Sequence, residues 1–219
     1  MRRETFDENA VRLQTLLGEM GEVVVAAVRA ASAALLERHP RLAERVIEGD
    51  PAIDDRRARI EALATETITI FAPVGPDMRA VVSAIQSAHE LERVGDLAQH
   101  IAEAAHRRHP DPCVPEQARE ILLELSTQVG AMMSKTVTVL RTRNVILALE
   151  LESDDDRVDA LHRDLFALMF GDTWTCGIPA AVDLTLLARF YERIADHAVA
   201  LAERTVYVVT GRHPEALQL

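Results

Sequence analysis

The stretch from residue 89 to residue 100 reads HELERVGDLAQH. It sets Glu92 and Asp96 four apart, between His89 and His100. From residue 190 the chain reads FYERIADHAVAL, with Glu192 and Asp196 at the same spacing. Residues four apart on an α-helix are offset by about 40° around the axis and by one turn along it. Each pair therefore projects from one side of a helix. Around the first pair, Ala88, Leu91, Ala98 and Ile101 recur at helical spacing and form a core stripe. The neighbouring seam runs Met78, Val82, Ile85, His89, Glu92, Asp96, Gln99, Glu103, apolar at first and acidic later. A seam that changes in this way either emerges into solvent or faces something positive.

Working outward, the same helical period fills the chain. Leu13, Leu16, Leu17, Met20, Val24, Ala27, Val28, Ala31 and Leu35 predict a helix over 8–38, ended by His39-Pro40. A second helix is expected over 41–71, with a kink or break at GDPAID, residues 49–54. After the loop APVGP at 72–76, a third helix is expected over 77–107. The segment RRHPDPCVP, residues 107–115, holds three prolines and reads as a linker. Beyond it the plan repeats, with helices expected over 116–141, over 144–170 and from about Pro179 to 210. Gly211 suits the final helix end.

The halves overlay. At an offset of 105, Leu17 falls on Leu122, Glu19 on Glu124, Val46 on Leu151, Asp50 on Asp155, Ile53 on Val158 and Asp54 on Asp159. The second loop is five residues shorter, so the offset becomes 100, and Glu92, Arg93 and Asp96 fall on Glu192, Arg193 and Asp196. The fold class expected is all-α: two tandem three-helix bundles related by an internal repeat, residues 1–109 and 110–219.

Composition agrees. Of 219 residues 48% are hydrophobic but only 4% aromatic, a mixture that suits closely packed helices. A net charge of −11 argues against direct binding to nucleic acid or anionic lipid. Two cysteines, Cys113 and Cys176, have no metal-type spacing and fit a reduced, cytoplasmic chain. The apolar run at 23–28 is too short to span a bilayer, so membrane association is expected only through partners.

Paired carboxylates on adjacent helices can cage a hard cation such as Mg²⁺, Ca²⁺, Mn²⁺ or iron. The plainer alternative pairs Glu92 with Arg93 or another arginine as a solvated charge. Glu103-x-x-His106 has the spacing of di-iron bundles but occurs once, at a helix end, and reads as chance. His197 lies about 100° around the helix from Asp196 and reads as an outer or partner-facing residue. No phosphate-binding glycine loop and no nucleophile triad is present, so an enzyme is not expected.

RVIEGD at 45–50, APVGPDMRAVVSAIQ at 72–86, ELERVGD at 90–96, SDDDRVDALH at 153–162 and RFYERIADHAV at 189–199 together resemble the PhoU family of phosphate-transport regulatory proteins. The resemblance covers almost the whole chain, and the last motif is similar to the actinobacterial branch. It implies a non-enzymatic cytoplasmic regulator of phosphate uptake and negative regulator of the phosphate-starvation response. Its implied partners are the ATPase of a phosphate ABC transporter and a sensor histidine kinase, and it implies a homodimer. No cofactor is required, but some family members carry metal on these carboxylates, which implies room for divalent or iron cations on the acidic clefts. The family's metal positions fall on Glu92, Asp96, Glu192 and Asp196, and on Asp54 and Asp159 of the second helices. The family often has a glutamate three residues after the last two. Here those positions are Arg57, which would repel a cation, and His162, which can ligate one. The alternative reading is a carboxylate-bridged metal protein or metalloenzyme with no part in phosphate signalling.

Overall fold

The computed structural model describes residues 2–212, which form seven α-helices and no strand among the described residues. They are α1 (Arg2–Glu37), α2 (Pro40–Gly49), α3 (Pro51–Phe71), α4 (Pro76–Arg108), α5 (Glu116–Thr142), α6 (Val145–Phe170) and α7 (Gly177–Thr210). The first helix starts six residues before the expected Glu8, at Arg2, because no breaker intervenes. The final helix starts at Gly177, which leaves Pro179 in its first turn, where a missing N–H costs nothing.

The expected interruption of the second helix falls at Asp50-Pro51. Asp50 keeps helical backbone angles (φ −58°, ψ −44°), so the chain bends there without leaving the helical path. Pro51 supplies no N–H, and one rung of the ladder is lost. The corresponding residues Asp155-Asp156 contain no proline, and α6 runs unbroken. Loop residues close the other ends. Arg38, Ala72 and Arg143 take positive φ (58°, 45° and 52°), and Gly211 does the same at φ 73°. His39 and Asn144 cap α2 and α6, accepting from the amides of Leu42 and Leu147.

Helices α1, α2, α3 and α4 pack together, as do α5, α6 and α7. The repeats join through α1 against α5 and α4 against α7, and one apolar core runs through both. Ala88, Leu91, Ala98 and Ile101, the stripe read from the sequence, are all fully buried. So are their counterparts Ala188, Tyr191 and Ala198. Tyr191 donates its phenolic hydrogen to Ser32 of α1 at 2.9 Å, which ties the repeats together inside the core.

A reciprocal pair of caps reveals the symmetry. Gln14 Nε2 donates to the Arg141 carbonyl at 2.7 Å, and Arg119 Nη1 donates to the Leu36 carbonyl at 2.6 Å. Gln14 and Arg119 are equivalent positions, as are Leu36 and Arg141. Each repeat thus satisfies a free carbonyl in the last turn of the other's first helix.

Candidate functional site

The bend at Asp50 brings that carboxylate beside the acids of α4. Asp50 is raised above the usual carboxylate range, by burial first, then by Asp96, Asp54 and Glu92. These four acids form a first cleft between α2–α3 and α4. In the second repeat Asp155 is pushed up to about 6 by burial, then by Asp159, Asp196, Asp156 and Glu192. Asp196 is also raised, by burial and then by Glu192. The structure therefore gathers the six residues marked in the sequence into two equivalent clefts: Asp54, Glu92 and Asp96 in one, Asp159, Glu192 and Asp196 in the other. It adds Asp50 and Asp155, both half-buried. Their signal in the sequence was the overlay of Asp50 on Asp155.

Gly95 lets the first cleft close up. A Cβ at that position would stand 2.9 Å from Ile53 Cδ1. The second repeat has Ala195 and Val158 at these positions, a methyl more on one helix and one less on the other.

Cations internal to the protein treat the clefts differently. In the first, Arg57 Nη1 donates to Glu61 at 2.9 Å and Arg57 Nε lies 3.9 Å from Asp54. His89 Nε2 sits 2.7 Å from the same Glu61. Arg57 is held more firmly charged, by the Glu61 bond first and by Glu92 and Asp54 beyond it. Arg93 reaches back over the mouth, with Nη1 donating to Asp96 at 3.0 Å and Nε 3.6 Å from Glu92. This is the arginine pairing that a solvated reading of Glu92 expects, although Glu92 Oε2 is buried without a hydrogen-bond partner. In the second cleft, the equivalents of Arg57 and Glu61 are His162 and Phe166, whose ring centres lie 4.7 Å apart at a tilt of 45°. Arg189 Nη1 donates to Glu192 at 2.6 Å, and His162 Nε2 stands 3.9 Å from the same carboxylate. Asp155 and Asp159 have no such arginine on α6. Burial, and after it the neighbouring carboxylates, make Asp155 hold a proton readily.

All-oxygen donors of this kind suit a hard cation. Their spacing does not close on one: among the described residues, no group of three His, Cys, Asp or Glu side chains stands close enough to hold a metal ion. Glu103 and His106 do not make a di-iron pair either. His100 approaches Glu103 at 3.4 Å, and His106 turns toward Glu44 at 3.9 Å.

His197 corrects the sequence reading. It does not face outward but lies half-buried between the repeats, with Nδ1 2.6 Å from Glu90 of α4. Arg204 donates to the other Glu90 oxygen at 2.9 Å and to Gln86 at 2.6 Å. Spacing alone hid this, because only the docking of α7 on α4 brings these residues together. Cys176 sits before α7 and donates its thiol hydrogen to Gln117 at 2.9 Å, while burial pushes the Cys113 thiol up to about 11. Among the described residues no helix is long and apolar enough to cross a membrane.

Known proteins share this arrangement. The PhoU domain matches residues 17–105 and again 122–205, the two repeats just described. A phosphate-specific transport system accessory protein, PhoU homolog 1 of Mycobacterium leprae, is 39% identical over 97% of this chain and 96% of its own. The homolog 2 protein of Mycobacterium tuberculosis is 38% identical over 97% of this chain and 100% of its own. The crystal structure of PhoU from Pseudomonas aeruginosa superposes with a TM-score of 0.85 at 26% identity, covering 94% of this chain and 100% of that one. That of the phosphate transport system regulatory protein PhoU from Streptococcus pneumoniae gives 0.82 at 24% identity, covering 95% and 98%, and shares the fold. With its two bundles, repeated acidic pairs and matches along nearly its whole length, the chain belongs to the PhoU family of phosphate-transport accessory and regulatory proteins, a family of regulators rather than enzymes.

Proposed function

We propose that this protein is a cytoplasmic adaptor that restrains the phosphate-starvation response when phosphate is plentiful. In this reading it docks on the ATPase of a phosphate ABC transporter and on a sensor histidine kinase, and works as a homodimer. The observation that carries the reading is the second cleft, where Asp155 is pushed up to about 6 by burial first and then by the neighbouring acids Asp159, Asp196, Asp156 and Glu192. Both burial and the neighbouring acids disfavour the charged carboxylate there, and a positive ligand offsets that cost. Its ligand is a divalent or iron cation, or the guanidinium groups of a partner. A cation would have to draw the carboxylates closer than they stand in the structure. Regulation then needs one condition: the partner must hold one transporter state more tightly than the other.

The test replaces Glu92, Asp96, Glu192 and Asp196 by their amides, which keep shape and remove charge. Loss of repression of a starvation-gene reporter in phosphate-replete cells is the expected outcome. Full repression by a folded, normally abundant variant would show the acidic pairs to be structural. Metal content of the purified wild type, measured beside this variant, separates a bound cation from a partner arginine.

A further inference from the structure

A cavity of about 50 Å³ lies where the two repeats meet, between the N-terminal halves of α1 and α4, the C-terminal end of α5 and the last turns of α7. A space of that size holds a few waters or a ligand of a few heavy atoms. The internal repeat explains why it exists. Ser83, Ala84 and Ser87 line it, and their counterparts on α7 are Asp183, Leu184 and Leu187. Leu184 and Leu187 are fully buried, and Asp183 is held by the Arg108 side chain at 2.7 Å. Arg108 is itself the counterpart of Val208, another lining residue. One junction of the pseudo-symmetric pair therefore carries two buried leucines and an ion pair. The other is hollowed by three smaller side chains.

Its charged groups are all positive. The lining includes Arg143, Arg204, Ser83 and Ser87, together with Gln14 and Thr205, whose donors already serve the Arg141 and Leu201 carbonyls, and among the described residues no aspartate or glutamate. This is unusual in a chain of net charge −11 with 35 acids. Ser83 and Ser87 are only 6% and 4% exposed. Arg204 is anchored to Glu90 and Gln86 through its terminal nitrogens, which leaves its Nε buried without a hydrogen-bond partner. Arg143 is placed by the left-handed turn that ends α5, at φ 52°. Leu13, Leu17 and Val208 supply an apolar wall.

We propose that this cavity is a binding site for a small oxyanion. The anion accepts from Arg204 Nε, the serine hydroxyls and Arg143, with any short apolar remainder against the leucines. Because both repeats contribute residues, the bound anion braces one bundle against the other. The proposal does not depend on the acidic clefts or on any partner.

Isothermal titration of the full chain with orthophosphate, sulfate and butyrate tests it. Saturable binding at millimolar concentration or tighter is expected for at least one of the three. Orthophosphate and sulfate binding without butyrate would mark a tetrahedral inorganic anion; butyrate alone would mark a short-chain carboxylate. Ser87→Leu copies the packed junction and should abolish binding. Arg143→Asn keeps a residue suited to the left-handed turn and should weaken binding about tenfold, the effect of one lost charge-assisted hydrogen bond. Both variants are checked for unchanged thermal unfolding, and if Ser87→Leu fails to fold, Arg143→Asn decides alone. No binding of any of the three anions, or binding that these folded variants leave unchanged, overturns the proposal.

Discussion

Arg29 and Ser134 are equivalent positions of the two repeats, and they touch: Arg29 Nη2 donates to Ser134 Oγ at 2.9 Å. A residue can contact its own counterpart only near the axis that relates the repeats. The pseudo-twofold axis therefore passes between α1 and α5 at this pair. The grooves on either side of it, one near Glu22 and Arg141 and the other near Leu36 and Thr127, are counterparts in the same sense. The halves are thus packed as a symmetric pair inside one chain, and departures from symmetry mark where the repeats have diverged.

One such departure predicts a compensating pair. Gly95→Ala puts a methyl 2.9 Å from Ile53 Cδ1 and should destabilise the protein by about 1–3 kcal/mol through overpacking. Adding Ile53→Val copies the Val158 and Ala195 combination of the second repeat. The double variant is expected to recover most of the loss. A double-mutant cycle by chemical denaturation measures the coupling, and simple additivity would refute the compensation.

The second cleft predicts a pH dependence with a defined sign. Asp155 titrates at about 6 in the folded chain, above its ordinary 3.8. The folded state therefore binds this proton more readily than the unfolded state does. Its contribution to stability rises as pH falls through about 6 and levels off near 3.8. Asp155→Asn should stabilise the protein at pH 7, by about 1 kcal/mol after screening by solvent, and should flatten the change between pH 7 and pH 5. Urea midpoints of wild type and variant across that range give the answer.

Glu90 predicts the opposite sign. The His197 hydrogen bond, and then the charges of His197 and Arg204, hold its carboxyl below the ordinary 4.5. Its stabilisation is present above that value and is lost as pH falls through the lower folded value. Glu90→Ala leaves His197 without its acceptor and Arg204 with Gln86 alone, and should cost roughly 1–3 kcal/mol at pH 7. Thermal unfolding of the variant at pH 7 measures this. A loss no larger than that of an exposed glutamate such as Glu19 would show that the contact carries no stability.

Tyr191 predicts a smaller effect in the core. Tyr191→Phe removes the hydroxyl that donates to Ser32 and keeps the ring, so a loss of about 1 kcal/mol is expected. Ser32 keeps its own bond to the Val28 carbonyl at 2.9 Å, which limits the damage. The denaturation midpoint should shift with an unchanged slope.

Helix order, the interruption at Asp50-Pro51 and the repeated acids of the two clefts, apart from the inclusion of Asp50 and Asp155, are legible in the chain itself. Each of these is a local property. Helical period, proline chemistry and residues four apart depend only on neighbours within a turn or two, and a duplicated motif displays its own repeat. The charge state of the clefts was legible in part: Arg57 was marked as a misfit, but its bond to Glu61 and the approach of His89 were not. What the tertiary structure alone decided lies between the repeats. Glu90 meeting His197, Gln14 capping α5 and the cavity beside Arg204 join residues about a hundred or more positions apart. No local pattern encodes such pairings, because they arise only when α4 docks on α7 and α1 on α5, and that docking is set by the summed shape of the buried side chains.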